Sequence, residues 1–370
     1  MKKRTTIVIR KKIFIAIIFA SVLCVLGGGN LLTYDQEAYC SVYNGSVNFL
    51  GFENGYFVFQ NTLHQLGVPY QWYKLLVSVI SIVSLFLISE HYKANTTWVL
   101  FLYFCFPFAH DTYNLRNTLA AVIISISFCF LANERKRYTV LSFLLCVLSV
   151  FFHRASVFYF IPWTVYFIWK NSHLLKLIIK FLLSGVVLFS ITSAIFPRIL
   201  SLVASFLGGF LEKLRLERKS GYLEISGRFG FLFYFAIQLI CIFLLYLCYR
   251  QYYTCKKKCN SEKKFRIMSI GKKTSLVQVM LVVSITMLLM VPMYKMNNNF
   301  FRVFRNIMPL ICVSISSCLN DTKVINNNRK LIIKILTVGL FVFLLLWDLT
   351  GSVSDEIWGT MIRGNWILGT

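Results

Sequence analysis

The sequence predicts an all-α fold, a polytopic transmembrane helical bundle, on three observations. Of its 370 residues, 57% are hydrophobic and only 14% charged, a balance far from that of soluble domains. The apolar residues run on for near-membrane lengths instead of alternating, which selects helices over a β-barrel, because lipid tolerates only backbones that satisfy their own hydrogen bonds. The Lys and Arg residues behind the formal charge of +25 gather between those runs. In a membrane protein such clusters set orientation against anionic lipid, so no nucleic-acid partner is expected.

Taken in order, Lys2, Lys3, Arg4, Arg10, Lys11 and Lys12 precede an apolar run over 13–32. No small-x-small cleavage site follows cleanly, and the run passes through Gly27, Gly28 and Gly29 into Leu31 and Leu32, so it reads as an uncleaved first helix. Runs near the length of a bilayer follow at 74–89, 96–109, 115–132, 138–153, 155–169, 174–195, 229–249, 276–294, 300–319 and 331–347, giving about eleven spans. Pro107 makes the end of the run at 96–109 soft. No internal repeat or linker divides the chain, so 1–370 reads as one integral membrane domain.

Positive-inside bias places the N-terminus in the cytoplasm, with the dense basic loop near 250–275 on the same side. Most carboxylates then fall outside, among them Asp35, Glu37, Glu53, Asp111 and Asp348. Two outer segments, near 33–73 and 197–228, are too long for turns and are expected to carry interfacial or re-entrant helices. The first mixes Tyr39, Tyr43, Tyr56, Tyr70 and Trp72 with carboxylates, a composition suited to the membrane interface and to stacking on sugar faces. Cys255 and Cys259 flank three lysines without two further ligands nearby, so no metal site is expected. Without a P-loop, G-x-S-x-G or H-E-x-x-H motif, no nucleotide or other cofactor is expected.

The stretch from His110 to Ser156 reads as a helical hairpin turning at Arg135, Lys136 and Arg137, which returns His153 and Arg154 to the end where Asp111 and Arg116 begin. Ionisable side chains at that depth are costly without partners and mark function. Arg302 and Arg305, three apart and so on one helical face, add two more guanidinium groups. Forked guanidiniums are the usual partners of phosphate oxygens. His153 beside Arg154, Asp35 and Glu53 qualify by type as the base.

These residues also fit a pattern. Asp35 to Tyr39 reads D-Q-E-A-Y, Glu53 to Tyr56 reads E-N-G-Y, Arg116 is followed by Leu119 and Ala120, Phe152 to Ser156 reads F-H-R-A-S, and Arg302 precedes Pro309. In this order they resemble the EpsG-like, Wzy-type polymerases of bacterial exopolysaccharide and capsule synthesis. Ala155 and Ser156 invert the family order, and Asn306 stands where the family usually has an aromatic.

The resemblance implies a glycosyltransferase-type polymerase at the outer face of the cytoplasmic membrane. It would join undecaprenyl-diphosphate-linked oligosaccharide repeat units, with a flippase and a chain-length regulator as partners. Arg116, Arg154, Arg302 and Arg305 would hold the diphosphate, and His153, Asp35 or Glu53 would act as base or position the acceptor. The alternatives are a membrane O-acyltransferase modifying the glycan and a lipid-linked oligosaccharide flippase. The first lacks a separate donor site, and a transporter is expected to show repeats with charges at mid-membrane.

Overall fold

A computed structural model describes residues 2–31, 34–45, 53–133, 135–171, 184–185, 230–259, 264–321, 327–350 and 358–369. Its named elements are all helices: α1 (Lys2–Gly29), α2 (Tyr34–Tyr43), α3 (Asn54–Gln65), α4 (Tyr70–His91), α5 (Thr96–Cys105), α6 (Phe108–Tyr113), α7 (Leu115–Leu131), α8 (Lys136–Phe152), α9 (Phe160–Asn171), α10 (Gly230–Cys259), α11 (Lys264–Thr286), α12 (Val291–Met296), α13 (Phe301–Arg305), α14 (Met308–Leu319), α15 (Asn327–Thr350) and α16 (Thr360–Arg363). Short 3-10 turns join α8 to α9, α11 to α12 and α12 to α13.

Five of these helical stretches are long and apolar enough to cross a membrane, at Lys12–Gly29, Tyr70–His91, Gly230–Tyr253, Ser275–Tyr294 and Asn327–Thr350. A sixth span arises if Asn298–Arg305 and Met308–Leu319, bent by 41°, count as one. The expected number of about eleven counted every apolar run of near-spanning length. Those that fall short do so for local reasons. The run at 96–109 breaks at Phe106 and Pro107, because proline cannot continue the helical ladder. The run at 155–169 opens with a 3-10 turn at Arg154–Tyr159 before α9 begins. α7 and α8 are apolar helices of 17 residues each, at the short end of bilayer-spanning length. The expected span at 174–195 and nearly all of the segment at 197–228 lie outside the described residues.

The bundle is layered by burial. Ser275–Tyr294 is 83% buried, whereas the spans of α1, α4 and α15 are buried over about a third of their length or less and leave Ile15, Leu87 and Ile335 exposed. An apolar face of that size is stable against lipid and not against water. α14 lies at the centre, with every residue but Pro309 buried; that proline sits in the first turn, where its missing N–H costs nothing.

Two close approaches shape the region around the charged corner. Gly29 receives the C-terminal segment: Trp366 N–H donates to the Gly29 carbonyl at 3.1 Å, and a β-carbon on Gly29 would lie 1.9 Å from Asn365 Oδ1. Gly55 lets α3 lie across the end of α8, since a β-carbon there would lie 2.8 Å from Phe151 Cβ and 2.9 Å from the Phe151 carbonyl oxygen. A backbone atom cannot step aside as a side chain can. Gly55→Ala is therefore expected to cost about 1–3 kcal/mol of stability by overpacking. It should also lift Glu53 away from His153, and the stability loss is read as a lower melting temperature.

Candidate functional site

The predicted hairpin is present. Ser127 of α7 donates to the Ser142 carbonyl of α8 at 2.7 Å, so the start of α7 and the end of α8 are brought together. Onto that end α3 delivers Glu53, which immediately precedes the helix with extended backbone, φ −66° and ψ 140°.

Glu53 is the hub. It is 7% exposed; its Oε2 accepts Arg116 Nη1 at 2.7 Å, its Oε1 accepts the Arg154 backbone N–H at 3.0 Å, and His153 Nδ1 lies 3.4 Å from Oε1. Burial alone would raise this carboxyl, but the His153 contact, the Arg116 charge and the Arg154 amide together hold it down to about 2, so it stands as a carboxylate and a weak base. Burial pushes the His153 imidazole down from its ordinary value against the pull of Glu53. The carboxylate faces Nδ1 at charge-contact distance without a hydrogen bond among the described residues, and its negative charge favours the tautomer protonated there, with Nε2 as the acceptor.

The arginines divide. Arg116 bonds Glu53 and donates from Nε to the Tyr39 hydroxyl at 3.3 Å. Arg302 reaches the Asn114 Oδ1 at 3.5 Å and the Asn299 Oδ1 at 3.2 Å, within electrostatic reach of both His153 and Tyr39. Arg154 joins through its backbone, with its side chain half-buried. Arg305 is 7% exposed, and its Nε and Nη2 find no hydrogen-bond partner among the described residues. It lies near Asp111, whose Oδ2 accepts the Tyr103 hydroxyl at 3.0 Å. The two arginines that spacing put on one face share α13 and differ in burial, Arg302 being half-buried and Arg305 buried. Asn306 and Asn117 exchange reciprocal amide bonds at 2.8 Å, which accounts for a polar residue at a position expected to be aromatic. Asp35 opens α2 half-buried, near the Tyr39 hydroxyl, and makes no hydrogen bond or ion pair among the described residues.

The aromatic residues expected at the interface or against sugars pack mainly on one another. Tyr43 stacks on Tyr73 at 4.9 Å, and Tyr39, Tyr56 and Tyr70 close around them edge-on or tilted. Their faces are consumed in a small core that seats α2 and α3 on α4, while Trp72 remains 54% exposed. Phe49 and Phe52 lie outside the described residues.

Sequence reasoning missed Lys74. It sits within an apolar run as one cation, yet it is fully buried; its ammonium has no hydrogen-bond partner among the described residues and borders a cavity of ≈ 20 Å³ shared with Asp111. An unpaired buried polar group destabilises, so Lys74→Met is expected to raise stability by ~1–3 kcal/mol, read as a higher melting temperature in detergent. It also missed Asn114 and Asn299, neutral amides that only proximity to Arg302 marks. Among the described residues, no group of three or more His, Cys, Asp or Glu is placed to hold a metal ion.

Residues 12–358 match the family model described as the EpsG family. The chain belongs to the EpsG family. That family is Wzy-type polymerase-like, so the resemblance carried by the short motifs extends over nearly the whole chain. Membership supports a membrane polysaccharide polymerase-like role for this multi-pass protein. Neither a curated protein nor a solved structure matches the sequence.

Proposed function

We propose that this EpsG-family protein joins undecaprenyl-diphosphate-linked oligosaccharide repeat units into a capsular polysaccharide or exopolysaccharide, at the outer face of the cytoplasmic membrane. The observation that carries the reading is the Glu53 carboxylate holding Arg116, His153 and the Arg154 amide beside Arg302. That arrangement supplies an oriented base next to clustered cations.

In the reaction, a hydroxyl of the incoming repeat unit attacks the anomeric carbon of the growing glycan. His153 Nε2 takes the hydroxyl proton. The bond from the anomeric carbon to the diphosphate breaks, and undecaprenyl diphosphate leaves with the electron pair. Arg116, Arg154 and Arg302 stabilise the charge that develops on it, with Arg305 supplying positive potential from deeper in the bundle. Glu53 orients His153 instead of taking the proton, and Asp35 positions the acceptor from α2. A flippase supplying repeat units and a chain-length regulator are the expected partners.

The test is elongation by the purified protein in liposomes given an undecaprenyl-diphosphate-linked oligosaccharide alone. A ladder of products spaced by one repeat unit, with release of undecaprenyl diphosphate, is expected. Transfer of an acyl group, or movement of the lipid across the bilayer without new glycosidic bonds, would overturn the reading.

A further inference from the structure

Arg302 stands within electrostatic reach of two imidazoles, and the second has no part in the reaction above. His110 lies at the end of α6. Its Nε2 is 3.2 Å from Asp348 Oδ2 and 3.3 Å from Oδ1, and its Nδ1 is 2.8 Å from the Tyr113 hydroxyl. Asp348 comes from the last turns of α15, a helix far away in sequence. Asn114, next to Tyr113, bonds the His110 carbonyl through its Nδ2 at 3.4 Å and accepts Arg302 at its Oδ1.

The proton positions follow from the partners. With a carboxylate at Nε2, the imidazole is protonated there, and Nδ1 is left as an acceptor. Tyr113 must then donate its only hydroxyl proton to Nδ1. Its oxygen keeps lone pairs and has no proton left to give, so it presents an acceptor for the hydroxyl of another molecule. Tyr113 itself is half-buried, beside the residue that ties Arg302.

We infer that Tyr113, fixed by His110 and Asp348, is a saccharide-binding group that accepts a hydrogen bond from a sugar hydroxyl next to the diphosphate at Arg302. The inference rests on the polymerase reading, and it makes the Arg302 surroundings two-sided. His153 handles the hydroxyl that reacts, and Tyr113 holds one that does not.

The test compares two probes on the protein in nanodiscs: undecaprenyl diphosphate carrying the oligosaccharide, and undecaprenyl diphosphate without sugar. Tyr113→Phe removes one oxygen and is expected to weaken the sugar-bearing probe by about tenfold, the scale of one well-placed hydrogen bond, and leave the sugar-free probe within about twofold. His110→Asn should reproduce that selectivity, because a merely structural loss would weaken both probes alike. Equal losses on the two probes, or none on either, overturn the inference while leaving the polymerase reading standing. Failure of the parental protein to bind either probe overturns both.

Discussion

Glu53→Gln is expected to lower elongation by roughly 100-fold or more while most of the protein still folds. The carboxylate does three things at once, and the amide fails at each. Its Oε2 neutralises Arg116 at 2.7 Å; a neutral amide leaves that guanidinium underpaired in a half-buried place, a costly state. Its Oε1 faces both the Arg154 N–H and His153 Nδ1. Turning the amide nitrogen toward them sets donor against donor and favours the imidazole tautomer whose Nε2 is blocked by a proton. Turning it the other way sets the amide nitrogen against Arg116. Glu53→Asp should retain more activity than Glu53→Gln, since it keeps the charge and loses only reach.

The pH profile separates base from orienter. Glu53, ordinarily near 4.5 and held at about 2, contributes stability that is present above 4.5 and lost only as the pH falls through about 2. It therefore does not titrate in the working range. His153 is pushed below its ordinary 6.5, so the base stays neutral down to a pH under 6.5 and elongation should fall on the acid side of that value. In Glu53→Gln the upward pull on His153 is gone, and the acid limb of the residual activity should move lower still. An acid limb that stays at the same pH in both proteins would remove His153 from the role of base.

The main lines of this site were legible in the sequence because they follow from chain geometry. A hairpin of two near-spanning runs must bring Arg116 and His153 to one end, and lipid makes charges there conspicuous. The E-N-G-Y signal also had a physical content that the string alone did not disclose: the glycine admits the Phe151 backbone, which is what carries Glu53 to His153. Other features were illegible for equally physical reasons. Whether a run of near-spanning length becomes a span depends on breaks at positions such as Phe106 and Pro107, and composition does not weigh those. Lys74 sits inside an apolar run, so its burial could be read only from packing. Arg302 and Arg305 looked equivalent by spacing, and only packing leaves one half-buried and the other buried.

That difference leads to the other large effect. Arg302→Ala is expected to reduce elongation by roughly 100-fold or more with little change in melting temperature. Arg302 is half-buried and bonds the amide oxygens of Asn114 and Asn299, bonds that a diphosphate oxygen replaces at small cost because neutral acceptors hold a guanidinium weakly compared with anionic ones. Arg116 is committed to a carboxylate, so its removal strands Glu53 and confuses loss of function with loss of fold. Arg302→Lys is the sharper comparison. It keeps the charge but not the fork, so a diphosphate bound through two parallel hydrogen bonds predicts partial recovery, about a tenth of parental elongation or less. Full recovery in Arg302→Lys would mean that positive potential alone is needed there. Parental elongation in Arg302→Ala would remove this residue from the diphosphate site, and with it the cation on which both imidazoles converge.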